Sequence, residues 1–135
     1  MKIELWAIGK TNEKYLEAGI EIFEKRLRNY LPFTFVIFPD VKSKYADSNL
    51  LKAEEGKAIL SKLSPDDFLV LLDEKGLEFS SVAFSTWVER RLSAPGRKMV
   101  FLIGGAFGFS PEVYARADEK IALSKLTFSH QMVRL

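Results

Sequence analysis

Gly104, Gly105 and Gly108 stand just after an apolar run, Lys98-Met99-Val100-Phe101-Leu102-Ile103, and just before Ser110-Pro111-Glu112. The run has the continuous apolar character of a strand covered on both faces. Ser110 suits a helix N-cap, Pro111 the first helical position and Glu112 the first turn. The glycines therefore mark a turn at the carboxyl end of a buried strand, the edge at which open α/β sheets bind their ligands. Having no Cβ, they let a ligand approach the backbone. Taken alone, the commoner meaning of such a turn is a plain connection from strand to helix.

Several chemistries are excluded by residue type and spacing. Gly104-Gly105-x-x-Gly108 lacks the G-x-G-x-x-G order, and the strand after it carries no acid to hold a ribose, which argues against a dinucleotide site. No Gly-Lys-Ser/Thr follows the glycines, so there is no P-loop. No G-x-S-x-G elbow is present, and the only base such a hydrolase could use is His130, the single histidine. With no cysteine, neither a disulfide framework nor a metal cluster of Cys and His ligands is available, and no metal is expected. The acid pair Asp66-Asp67 reads as a cap or the start of a strand in solvent and Asp73-Glu74 as part of a turn, and neither marks an acid–base centre. What remains is a site of three loops at one sheet edge: after Leu72, at Gly104-Gly105, and from Leu123 to Phe128. Backbone and apolar side chains dominate it. That composition suits a ligand that brings its own reactivity while the protein supplies position.

These loops need a scaffold, and the rest of the chain supplies one. Lys2 to Ile8 reads as a first strand with Gly9-Lys10 as its exit. A helix from Glu13 to Tyr30, capped by Thr11 or Asn12, carries apolar residues at helical spacing and basic residues near its end, and Pro32 stops the segment. Phe33 to Phe38 is a second strand. Residues 39–49 form a loop carrying Lys42 and Lys44. A helix from about Leu50 to Leu63 follows, then a central strand Phe68 to Leu72 that ends in the turn Asp73-Glu74-Lys75-Gly76. A helix opens at Ser80 or Ser81 and runs to about Leu92. After the glycine turn come a short helix from Pro111 to about Arg116, a strand Lys120 to Leu123, a loop, and a final helix starting near His130. The alternation predicts an α/β fold with a largely parallel sheet and helices on both faces.

At 135 residues, 47% of them hydrophobic and none in a repeat or linker, the chain reads as one domain over 1–135. A net charge of +2 neither demands nor excludes a nucleic-acid partner. The apolar start is too short for a signal peptide and contains Glu4, and no stretch reaches the roughly 20 apolar residues of a membrane span. The expectation is a cytoplasmic protein with no membrane partner.

Four motifs in order then make a specific match. The opening Met1-Lys2-Ile3-x-Leu5-x-Ala7-Ile8-Gly9-Lys10, the turn Leu71-Leu72-Asp73-x-x-Gly76, the strand exit Phe101-Leu102-Ile103-Gly104-Gly105-x-x-Gly108, and Leu123-Ser124-Lys125-Leu126-Thr127-Phe128-x-His130-Gln131-Met132-x-Arg134 resemble the RlmH family. Its members are small SPOUT-class methyltransferases of the large-subunit rRNA that act on N3 of a pseudouridine. The resemblance spans essentially the whole chain. It implies the SPOUT α/β knot, with a mostly parallel sheet and a trefoil knot near the C-terminus. It also implies S-adenosylmethionine bound in that knot by Leu72, Gly104, Gly105, Leu123, Ser124, Lys125, Leu126, Thr127 and Phe128. The partners it implies are a second copy of the chain, in a homodimer, and the 23S rRNA of the assembled 70S ribosome.

The substrate side is less defined. His130 and Arg134 are the candidates for catalysis, with Lys10, Lys42, Lys44 and Arg134 for RNA phosphate. His130 serves equally as a cap of the last helix, and Lys42 and Lys44 equally as a solvated loop. Trp6 and Trp87 read as packing residues. The family's chain continues past this arginine through a long helix to a Tyr-His tail, whereas this sequence stops at Leu135 with no Gly or Pro behind it. The expectation is therefore a C-terminally truncated member with an incomplete final helix. A non-catalytic ribosome- or RNA-binding SPOUT domain is the alternative.

Overall fold

The computed structural model of the chain describes residues 1–40, 48–105 and 107–135. Five strands, β1 (Lys2–Ile8), β2 (Phe33–Phe38), β3 (Phe68–Glu78), β4 (Lys98–Ile103) and β5 (Glu119–Ala122), form one sheet in the order β2-β1-β4-β3-β5. Every pairing between them is parallel. The helices are α1 (Lys14–Arg28), α2 (Ser48–Lys62), α3 (Ser81–Ser93) and α4 (Pro111–Arg116).

Right-handed crossovers decide the layers. The connections β1 to β2 and β3 to β4 run one way across the sheet, and β2 to β3 and β4 to β5 run the other, so their helices fall on opposite faces. On one face α2 and α4 cover Trp6, Ile8, Phe38, Leu69, Leu71, Val100 and Leu102, adding Ile59 and Val113 to that core. On the other, Phe84, Trp87, Val88 and Leu92 of α3 pack on Ile3, Val70, Met99 and Ile121. Strand alternation sends Ile3 and Leu5 to this second face and Trp6 and Ile8 to the first. Both tryptophans are packing residues: Trp6 lies edge-on to Phe38, and Trp87 stacks on Phe84. Between α1 and α3 the second face keeps an apolar groove of about 450 Å³, floored by Leu5, Phe35 and Phe101 and rimmed by Leu135.

Glu4 is a buried carboxylate inside β1, tolerated because the Trp6 indole donates to it at 2.8 Å and Lys2 and Lys98 stand 3.2 and 3.3 Å away. Burial pushes its pKa up, but those partners outweigh it and hold the group below the ordinary value.

Four local expectations are corrected. Asp73-Glu74-Lys75-Gly76 does not end β3: Leu72 and Leu77 both pair with Ile121, so these four residues bulge out and the strand resumes to Glu78. Gly76 makes the bulge possible, since a Cβ there would lie 2.5 Å from the Ile121 nitrogen and the Lys120 carbonyl carbon. Helix α1 has Glu13 at its N-cap with no side-chain bond, because the C-terminal segment claims both expected caps. Thr11 Oγ1 accepts from Arg134, and the Asn12 amide donates to Gln131. Asp67 is buried rather than solvated, accepting from the Ser64 amide at 2.8 Å. The final helix near His130 is a single 3₁₀ turn, Met132–Arg134. Ser110 caps α4 as expected, accepting from the Val113 amide at 3.3 Å, with Pro111 beginning the helix. No described helix is long and apolar enough to cross a membrane.

Candidate functional site

The bulge of β3 and the carboxyl ends of β4 and β5 meet the C-terminal segment around one cleft of about 570 Å³. That size falls within the range of small-molecule sites. Leu72, Ile103 and Ile121 give it an apolar floor, and Gly104, Gly105 and Gly108 supply one backbone wall. Leu123, Ser124, Leu126, Thr127 and Phe128 form the opposite wall, and His130 and Val133 close one end. The three loops singled out from the sequence thus come together, with Leu72, Gly104, Gly105 and five of the six residues 123–128 on the lining.

Lys125 is the exception: it is exposed and outside the lining. The rest of its loop has no regular ladder to follow once β5 ends at Ala122, and is held by a local bond from the Leu126 amide to Ser124 Oγ at 3.0 Å. Leu123 and Leu126 stay 56% and 76% exposed, leaving apolar surface on the rim.

The glycines act differently from the expectation that they simply bare the backbone to a ligand. A Cβ on Gly104 would meet the Phe109 ring at 3.2 Å, and one on Gly105 the Glu55 carboxylate at 2.8 Å. Their missing side chains make room for the chain's own groups. Gly108 takes a positive φ of 86°, and its amide donates to the Gly105 carbonyl at 3.1 Å, closing the turn.

One polar group on the lining, Tyr114, escapes notice in the sequence, and its partner Asp73 reads there only as part of a turn. The Tyr114 hydroxyl donates to Asp73 Oδ2 at 2.7 Å, tying α4 to the β3 bulge. Burial pushes the Asp73 carboxyl up, yet the Lys75 amide, the Tyr114 hydroxyl and the charges of Lys120 and Lys75 outweigh it, and its pKa lies below the ordinary value. Burial first, and the bond to Asp73 second, push the Tyr114 phenol up to about 12. At neutral pH Tyr114 is a donor and not a base.

A raised phenol pKa stabilises the fold fully below the unfolded value near 10, and the contribution is lost as pH climbs through about 12. The depressed carboxyl contributes above the ordinary carboxylate pKa and is lost as pH falls through its own. An absorbance titration of the chain's four tyrosines should show a last step near pH 12, and Tyr114→Phe should remove it. A wild type with no step near pH 12, or a variant that keeps that step, would contradict the Tyr114–Asp73 bond.

The substrate-side candidates separate. His130 is exposed at the end of the cleft. Arg134 is absent from the lining and only 4% exposed. Its guanidinium donates to the Ile8 carbonyl at 2.9 Å, the Gly9 carbonyl at 2.8 Å, Thr11 Oγ1 at 3.1 Å and the His130 carbonyl at 3.1 Å. That corrects its assignment to RNA phosphate or catalysis, because every edge of the fork is taken by the chain's own atoms. Lys10 is exposed at the exit of β1, beside Gln131, which donates to its carbonyl at 3.3 Å. Lys42 and Lys44 lie outside the described residues. No group of three or more His, Cys, Asp or Glu among the described residues is placed to hold a metal.

The family model described as "Predicted SPOUT methyltransferase" matches residues 1–135. The chain belongs to the SPOUT methyltransferase family. It is 50% identical over 135 residues to the "Ribosomal RNA large subunit methyltransferase H" of Cytophaga hutchinsonii, and 53% identical over 136 residues to the protein of that name from Christiangramia forsetii. A third protein of that name, from Parabacteroides distasonis, is 48% identical. Each match covers all of this chain and 87% of the relative. As a SPOUT methyltransferase the chain uses a methyl-donor cofactor.

Proposed function

We propose that the chain transfers a methyl group from S-adenosylmethionine to N3 of a pseudouridine in the 23S rRNA of the assembled 70S ribosome, acting as a cytoplasmic homodimer of a single domain over 1–135. The observation that carries this reading is the convergence of the Leu72, Gly104-Gly105 and Leu123–Phe128 loops on one cleft, in a chain about half identical to proteins named as rRNA large-subunit methyltransferases.

The residues fit the methyl donor. Leu72, Ile103 and Ile121 offer apolar surface for an adenine ring. The backbone of Gly104, Gly105 and the lining residues Leu123, Ser124, Leu126, Thr127 and Phe128 offers hydrogen-bond groups, and Asp73 and Glu74 would place negative charge near a cationic donor. When bound, S-adenosylmethionine supplies an electrophilic methyl group on a sulfonium that is already a good leaving group. The protein's part is to align the acceptor nitrogen and exclude competing geometries. His130, at the mouth, is placed to meet the acceptor, and Lys10 to meet RNA phosphate.

The C-terminal segment supports the trefoil knot. After edge strand β5 it passes along the cleft and reaches the end of β1, where Arg134 and Gln131 fasten it to Ile8, Gly9, Lys10, Thr11 and Asn12. The groove between α1 and α3, with the exposed Ile22 and Phe23, supports the homodimer by offering apolar surface to a second copy.

Transfer of label from S-adenosylmethionine to ribosomes lacking the modification tests the reading, with free 23S rRNA alongside. Label in ribosomes, and little in free RNA, is the expected outcome. No label in either, from a chain that binds the donor, would favour a ribosome-binding SPOUT domain instead.

A further inference from the structure

Glu55 lies on α2, 8% exposed, and its carboxylate has no hydrogen bond or ion pair among the described residues. Its oxygens are not sealed from solvent, unlike the orphaned Oδ1 of Asp67. A buried carboxylate with no partner is costly. This one needs a donor that the described chain does not supply.

Its place in the fold says which donor. The two oxygens lie 2.8 and 2.9 Å from the position a Cβ would take on Gly105, so they press on the turn that walls the cleft. The Asp40 carboxylate sits over Gly9 in the same way, at 2.5 Å. Gly9 and Gly105 follow the neighbouring strands β1 and β4. Here the sheet's connections part: β1 leaves through α1 towards β2, and β4 leaves through α4 towards β5 on the other face. Among the adjacent strands of this sheet, only this pair diverges in that way. In open α/β sheets such a switch point is where a ligand crevice opens. Gly105 also walls the cleft, and the exposed Lys10 stands at the exit of β1.

We propose that Glu55 receives the acceptor base beside Gly105, accepting its imide N–H and taking the proton as the methyl group arrives. The inference rests on the rRNA methyltransferase reading above. In the step, the N–H bond breaks and its proton goes to the Glu55 carboxylate. The freed nitrogen pair forms the N–CH₃ bond, the S–CH₃ bond breaks, and its electrons return to sulfur as a neutral thioether. Glu55 then gives the proton to water. Burial, and after it the negative charge of Asp40, raise the Glu55 pKa, which strengthens it as a proton acceptor.

The test compares wild type, Glu55→Gln and Glu55→Asp in single-turnover transfer to ribosomes lacking the modification, with S-adenosylhomocysteine binding by calorimetry and thermal melting beside it. Glu55→Gln should slow transfer about 100-fold or more. Its S-adenosylhomocysteine affinity should stay within a factor of about two, because the lost interaction belongs to the acceptor side. Its melting midpoint should not fall, since a buried charge without a partner has been removed. Glu55→Asp, which keeps a carboxylate, should be about ten times faster than Glu55→Gln. A Glu55→Gln protein with the wild-type rate overturns the inference. So does one whose donor binding or melting midpoint falls along with its rate, since Glu55 then merely props the turn. A wild type that binds S-adenosylhomocysteine but labels no ribosome overturns the substrate reading, and this inference with it.

Discussion

Arg134→Met should cost the fold about 3 kcal/mol, because hydrogen bonds to a charged group are worth about 1.5–3 kcal/mol each and their buried carbonyl partners lose their donors. For a chain of this size that corresponds to a fall of about 10 °C in melting midpoint. The guanidinium reaches across 126 residues of sequence to Ile8, and across 125 and 123 to Gly9 and Thr11. Methionine fills the space but donates nothing. Burial lowers the arginine's pKa, and the nearby negative charge of Asp40 opposes that shift. Arg134→Lys should recover less than half of the loss, since an ammonium cannot present a planar fork to three acceptors at once. Because the same side chain anchors the segment that brings His130 and Val133 to the cleft, methyl-donor binding should weaken with stability. A variant that melts like wild type and loses only salt-sensitive ribosome affinity would return Arg134 to the RNA.

Gly76→Val should be nearly as damaging, at about 3 kcal/mol, and for a local reason. The nearest atoms to a Cβ there are backbone atoms of Lys120 and Ile121, within 2.7 Å, and backbone of a paired strand has no rotamer to yield. The bulge and β5 must separate. β5 leads straight into the 123–128 wall, so the cleft should open with it. Urea melts give the stability, and hydrogen exchange at the Ile121 and Ala122 amides gives the place. Wild-type protection at those two amides would contradict the bulge.

The parts of the fold carried by local pattern were legible. The apolar run of β4, the Ser110-Pro111 cap and the strand aromatics of β2 each follow from nearest neighbours, and parallel pairing followed from the strand–helix alternation. The three segments of the cleft were legible too, although the one after Leu72 proved to be a bulge inside β3 and not a strand exit. What escaped depends on contacts distant in sequence. Asp73-Glu74-Lys75-Gly76 has the composition of a turn, and only pairing with β5, more than forty residues on, makes it a bulge. Thr11 and Asn12 have the chemistry of caps but bind the C-terminal segment instead. Arg134 reads as an RNA or catalytic residue because its partners Ile8, Gly9 and Thr11 lie more than 120 residues away. Glu55 belongs to no motif, and its burial against Gly105 shows only in three dimensions.

The most direct measurement of the central claim is a calorimetric titration of S-adenosylhomocysteine into the wild-type chain and into Gly104→Val. A Cβ on Gly104 would sit 3.2 Å from the Phe109 ring, and a valine's methyl groups would crowd the ring and the cleft. If the cleft at the β3 bulge and the ends of β4 and β5 holds the methyl donor, the wild type binds one ligand per cleft and Gly104→Val binds none. Equal binding by both proteins, or none by a folded wild type, would contradict it.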